Sequence, residues 1–181
     1  MGYRDYAKDF QIEYVQQPGK KRPKAVRVYV GPWFRFTASP ERINWLRKFY
    51  SLGLALMAVL LIIPMCIDCA FTRTWFIQVP AAAAWIPWVL AAGSAWRLWT
   101  AGEKMDREHN SLVHDRMSGA SLFLMGFSCI STVGCVIRLT ELAAQPADFA
   151  VCSCYLAAAV CAMALFAKRK ELTSVQISEE K

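Results

Sequence analysis

Hydrophobic and polar positions fall in long blocks along this chain. Four windows, Phe49–Ile67, Thr74–Trp96, Met117–Ile137 and Phe149–Ala167, contain no Asp, Glu, Lys or Arg. Each approaches or exceeds the ~20 apolar residues a helix needs to cross a bilayer core. None alternates in the manner of a barrel strand. A segment in lipid must close its own backbone hydrogen bonds, so the windows predict four membrane-spanning helices. Ahead of them the period changes. Phe10–Tyr14, Val26–Val30 and Phe34–Phe36 alternate with period two, separated by Pro18-Gly19 and Gly31-Pro32 turn signals. This reads as an antiparallel meander of three strands, with Phe10, Ile12, Tyr14, Val26, Val28, Val30, Phe34 and Phe36 on one face. Three such strands need a cover. Ser39-Pro40-Glu41 then offers an N-cap, a first-turn proline and a first-turn acid.

The expected fold is an all-α transmembrane four-helix bundle, built from two antiparallel hairpins, with a small N-terminal cytoplasmic three-stranded β-meander. Its parts are a basic meander over 1–39, a lead-in and first span over 40–71, a second span over 74–99 and a cytoplasmic loop over 100–116. The third span covers 117–141, the fourth 147–167, and a cytoplasmic tail 168–181. The turns from Asp68 to Arg73 and from Arg138 to Asp148 are short, which makes the flanking helices neighbours and leaves no ectodomain. Families with a long outer loop, such as tetraspanins and claudins, are excluded on length. The polar first 48 residues do not read as a signal peptide, and the opening Met-Gly-Tyr-Arg-Asp-Tyr lacks a myristoylation pattern.

Charge fixes the orientation. Of 21 Lys and Arg, 19 lie in the N-terminal arm, the middle loop and the tail, and only Arg73 and Arg138 lie on the other two connections. The positive-inside bias therefore places both termini and the middle loop in the cytoplasm of a plasma or inner cell membrane. The arm to Lys48 carries the whole +7 surplus of the chain. Lys20, Lys21, Arg22, Lys24 and Arg27 are the residues expected to meet anionic headgroups, at about 1 kcal/mol each near the surface. No nucleic-acid signature accompanies them, so the partners expected are the bilayer and another protein or a second copy of the chain.

Helix faces carry further expectations. Ser121, Ser128, Thr132 and Cys135 share an arc of the third span. Ala150, Cys154, Ala158 and Ala162 share one of the fourth, and small faces of this kind pack in lipid. Trp85, Trp88, Trp96 and Trp99 share a face of the second span. Trp75, Trp96 and Trp99 suit interfacial belts. Trp85 and Trp88 are too deep for a belt and read as lipid-facing bulk or the wall of a ligand cleft.

Chemistry has few footholds. Seven cysteines are present, and Cys66, Cys69, Cys135, Cys152 and Cys154 fall near the outer end. They read as packing residues, a structural disulfide, a redox site or, with Asp68, a metal site. Cys66-Ile67-Asp68-Cys69 places two thiols on one helix face, with Arg73 four residues after the second. In these eight residues and in span count the chain resembles, in outline, the membrane disulfide-generating proteins of the DsbB type. That resemblance implies thiol–disulfide exchange between Cys66 and Cys69, a quinone cofactor, and Cys152 or Cys154 in place of the family's second cysteine pair. Here the loop that holds that pair in the family is short and contains no cysteine. Arg138 is expected to pair with Asp68, Glu141 or Asp148, or to snorkel outward. His109 and His114 diverge on a helix, and no hydrolase, kinase or phosphate-loop motif is present. The leading expectation is a non-enzymatic accessory or interaction subunit without a cofactor. A redox enzyme is the alternative, and a small transporter component the third reading.

Overall fold

The computed structural model describes residues 7–15, 24–141 and 145–177. It is mostly helical, with α1 over Pro40–Cys66, α2 over Trp75–Ala83, α3 over Trp85–Thr100, α4 over Arg107–Glu141 and α5 over Pro146–Lys168. α2 and α3 continue one another through Ala84, so the bundle has four rods, each long and apolar enough to cross a membrane. The rods form a closed ring, with α1 against α3 and α5, and α4 against α2, α3 and α5. Their shared core runs from Leu46, Tyr50, Met57 and Leu61 on α1, through Ile77 and Ala91 on the second rod, to Leu124 and Tyr155 on α4 and α5. Those α1 positions recur at intervals of four or seven, so one stripe faces inward while Leu52, Leu56 and Val59 face outward.

Local chemistry sets the ends of the rods. Ser39 is extended and its hydroxyl accepts from the Arg42 amide at 3.3 Å, with Pro40 opening the helix. The far end of α1 is Cys66, because Ile67 turns extended and Asp68 to Arg73 fold into a tight turn closed by Thr72 on Cys69. The helix therefore stops five residues short of 71. In the second rod Pro80 and Pro87 each remove a ladder donor, and the helix divides at Ala84 between them. α4 begins at Arg107, inside the stretch read as a loop, where Asp106 accepts from the amides of His109 and Asn110.

The strands correct the expected meander. β1, Phe10–Val15, pairs with β2, Lys24–Tyr29, as an isolated hairpin, and β3, Trp33–Phe36, pairs with β4, Ser174–Ile177, from the C-terminal tail. Residues Ser174–Ile177 of the tail therefore form a strand, where the sequence reading placed none. The other edge of β3 is taken by Met105, whose amide and carbonyl exchange hydrogen bonds with Phe34 at 2.8 Å each. With both edges used, β3 has none left for β2. The shared apolar face fails for a second reason. Register places Ile12 opposite Arg27 and Tyr14 opposite Ala25, while Val26 and Val28 lie opposite Glu13 and Gln11. Residues directly opposite share a side of the sheet, so each strand's apolar set lies on the other face from its partner's. Ile12 and Tyr14 are accordingly 62% and 73% exposed.

Candidate functional site

At the end of the bundle opposite the sheets, hereafter the far end, the Cys66–Arg73 turn is arranged differently from the outline its sequence suggested. Cys66 ends α1 and is exposed, whereas Cys69 lies past the extended Ile67 and is half-buried, so the two thiols do not share a helix face. Arg73 donates from Nε to Asp68 Oδ1 at 3.0 Å and from Nη2 to Asp68 Oδ2 at 2.8 Å. Those bonds hold the Asp68 carboxyl below the usual carboxylate range. The guanidinium expected to activate a thiol is thus given to a carboxylate, and the carboxylate offered to Arg138 is taken. Cys135 of α4 is buried in the shared core, and Cys152 of α5 packs half-buried against that core. Cys154 points elsewhere on α5, as two residues on a helix must. All seven cysteines are free thiols. Among the described residues no group of His, Cys, Asp and Glu has a geometry to hold a metal.

The small-residue faces are buried in part, with Ala150 exposed at the start of α5. Ser121, Ser128, Ala158 and Ala162 are buried, while Thr132 and Cys154 are half-buried. Ser121 and Thr132 return their hydroxyls to their own helix, on Met117 O and Ser128 O at 2.8 Å each. Across helices, Ser131 donates to Ile77 O at 3.1 Å and Tyr50 donates to Leu165 O at 3.0 Å. Neither was singled out by sequence, because a hydroxyl's partner on another helix leaves no local pattern.

The end that carries the sheets is more elaborately tied. Tyr29 donates to Pro32 O and accepts from the Arg107 amide, both at 2.9 Å, and burial raises its hydroxyl pKa, which keeps it a donor. Arg42 and Lys168 both donate to Glu171, at 2.7 and 2.8 Å, and Arg42 also lies 4.3 Å from the Trp45 ring. Ser174 donates to Asn110. The start of α1, the tail and the start of α4 are thereby one unit. Of the basic residues expected at a membrane surface, Lys24 and Arg27 lie exposed on β2, with Arg27 over the Phe10 ring at 5.9 Å. Lys20, Lys21 and Arg22 lie outside the described residues.

Two cavities open along the seam between α1 and the second rod. The first, about 260 Å³, lies beneath β3 and is lined by Arg35, Phe36, Ile43, Arg47, Gly102 and Glu103 among others. Arg47 donates from Nε to Leu98 O at 3.0 Å and from Nη2 to Ala101 O at 2.8 Å, holding the last carbonyls of α3. The second, about 420 Å³, is walled by Trp88, Trp96 and Trp99 and floored by Ala55, Ala92 and Ala95. Here Trp88 donates to Leu54 O at 2.9 Å and Trp99 to Ser51 Oγ at 2.8 Å. Trp88 is therefore half-buried and anchored inward, not lipid-facing bulk, and Trp85 packs on it edge to face. The chain matches no protein-family model, no curated protein and no solved structure.

Proposed function

We propose that the chain is a multi-pass protein of the plasma or inner cell membrane that acts by association and not by catalysis, with both termini and the sheets in the cytoplasm. The observation that carries the membrane reading is the outward surface of all four rods. Leu52, Ile86, Trp96 and Phe123 are each more than 60% exposed, and they belong to a continuous set of outward apolar residues on helices whose inward stripes already make a packed core. Contiguous apolar surface of that extent belongs in lipid or against a partner, not in water. The lysine and arginine distribution supports the orientation.

The accessory role rests on the β1–β2 hairpin. It is attached through Tyr29, which accepts from the Arg107 amide, yet it leaves Ile12 and Tyr14 open on the same side as Arg27. An apolar and aromatic surface beside cations suits an anionic bilayer surface, with Lys24 and the neighbouring Lys20, Lys21 and Arg22 adding attraction. A protein partner or a second copy would then be presented with a hairpin held at the membrane. Redox catalysis has weaker support, because Arg73 is bonded to Asp68.

The test uses the full chain in nanodiscs, read by hydrogen exchange over 10–29. Protection should rise when phosphatidylglycerol replaces part of the phosphatidylcholine, and fall again in high salt or in a Lys24→Glu, Arg27→Glu double variant. Protection indifferent to lipid charge would overturn surface docking.

A further inference from the structure

The two seam cavities follow one another along α1 and α3. Arg47 lines the first and Ser51, four residues later on the same face of α1, lines the second; on α3 the floor passes from Ala95 through Trp99 to Ala101 and Gly102. Four helical residues rise about 6 Å, so the two cavities lie about one helical turn apart along α1. Their chemistry divides sharply. The upper is lined by Arg35, Arg47 and Glu103 together with Phe36 and Ile43. The lower is alanine and tryptophan, and its two anchored indole N–H groups are already satisfied internally. Arg35 has no ion-pair partner among the described residues, and Arg47 keeps Nη1 free after bonding two carbonyls. The division falls beside Phe49, where the charge-free window of α1 begins.

We propose that this seam holds one phosphatidylethanolamine of the leaflet at the basic end, an assignment that rests on the membrane reading above. Arg35 and Arg47 take its phosphate, a planar donor fork matching an anionic tetrahedron. Glu103 accepts hydrogen bonds from its primary ammonium, which a quaternary choline group cannot donate. One acyl chain lies along Ala55, Ala92 and Ala95 between the tryptophans, where small side chains leave the width of a methylene chain.

The experiment titrates the delipidated full-length protein in detergent with phosphatidylethanolamine carrying brominated acyl chains. It follows quenching of tryptophan emission and the bound mass by native mass spectrometry. A saturable one-to-one adduct with quenching is expected. Arg35→Ala should weaken it about tenfold, the worth of one charge-assisted contact. Ala92→Phe should remove the quenching, and Ala55→Phe, on an exposed position, serves if the first variant does not fold. Glu103→Gln should abolish a preference for the ethanolamine over the choline lipid. Non-saturable quenching, quenching retained in both groove variants, unchanged affinity in Arg35→Ala, or equal binding of choline and ethanolamine lipids in the parent protein would each overturn the proposal. So would equal competition by free phosphoethanolamine, which would make the ligand a soluble phosphate compound. A protein that is monodisperse without any detergent would instead remove the membrane reading, before lipid is added.

Discussion

Asp68 and Arg73 show how one pairing redirects a motif. The bidentate contact sits on a turn where both side chains are about three-quarters exposed, so solvent screening leaves it little weight in global stability. Its effect is local and depends on pH. A carboxyl whose folded pKa is depressed contributes above its unfolded value of about 3.9 and stops contributing as pH falls through the lower folded value. Behaviour at neutral pH should be flat, with loss of the pairing confined to strongly acid solution. Carboxyl carbon NMR of the detergent-solubilised protein should find Asp68 titrating below its ordinary value, and Arg73→Gln should return it there. The same variant should change the alkylation rate of Cys69 by less than about twofold; a tenfold fall would mean that the guanidinium activates the thiol after all. Tyr50 is the counterpart in the interior. Its hydroxyl is buried on the Leu165 carbonyl, and Tyr50→Phe should lower stability by about 1 kcal/mol. Thermal unfolding in a fixed detergent measures it.

Elements differ in how openly the sequence declares them. The four rods were legible because charge-free length is a property of consecutive residues and needs no partner. The sheet was not, because strand pairing is decided by what else reaches the edge. β3 alternates like a meander strand, yet Met105 and β4 reach it from residues far away in sequence. The tail gave little warning, since Ser174–Ile177 is four residues among polar neighbours. At the seam, the tryptophan face was legible as a face, while the inward hydrogen bonds of Trp88 and Trp99 were not. The sheet can be tested by breaking its ladder. Thr37 donates to Thr173 O, and antiparallel alternation then makes Arg35 and Val175 a hydrogen-bonded pair. Val175→Pro removes that donor and should raise exchange at the amides of Trp33–Phe36 while leaving the rods protected. Helix approach has its own test. A Cβ on Gly134 would lie 3.0 Å from Ile77 and 3.2 Å from Phe76, whereas Gly126 has open space. Gly134→Val should destabilise by about 1–3 kcal/mol through overpacking between α4 and α2. Gly126→Ala, with no neighbour to strike, should be neutral or stabilise by about 0.5–1 kcal/mol.

At the scale of the whole molecule, rod length and charge argue together. The 27 residues of α1 extend about 40 Å and the 35 of α4 about 52 Å, against a hydrocarbon core of roughly 30 Å. The excess of α4 has a destination. Its first turns, from Arg107, project among β3, β4 and the start of α1, where Ser174 meets Asn110 and Tyr29 meets the Arg107 amide. The sheets therefore cap the end of the bundle that holds most of the basic residues, while among the described residues the far end carries the tight Asp68–Arg73 turn. A bilayer in which basic flanks stay inside must then leave the Cys69 turn outside and β4 inside. In intact cells, a membrane-impermeant maleimide should label Cys69 in a variant whose other cysteines are serine. Val175→Cys, on a 60% exposed position of β4 in a cysteine-free background, should label only after permeabilisation. The reverse pattern would invert the protein and move the phospholipid seam to the other leaflet. Labelling of both sites without permeabilisation would take the sheet-bearing end out of the cytoplasm and the rods out of the bilayer.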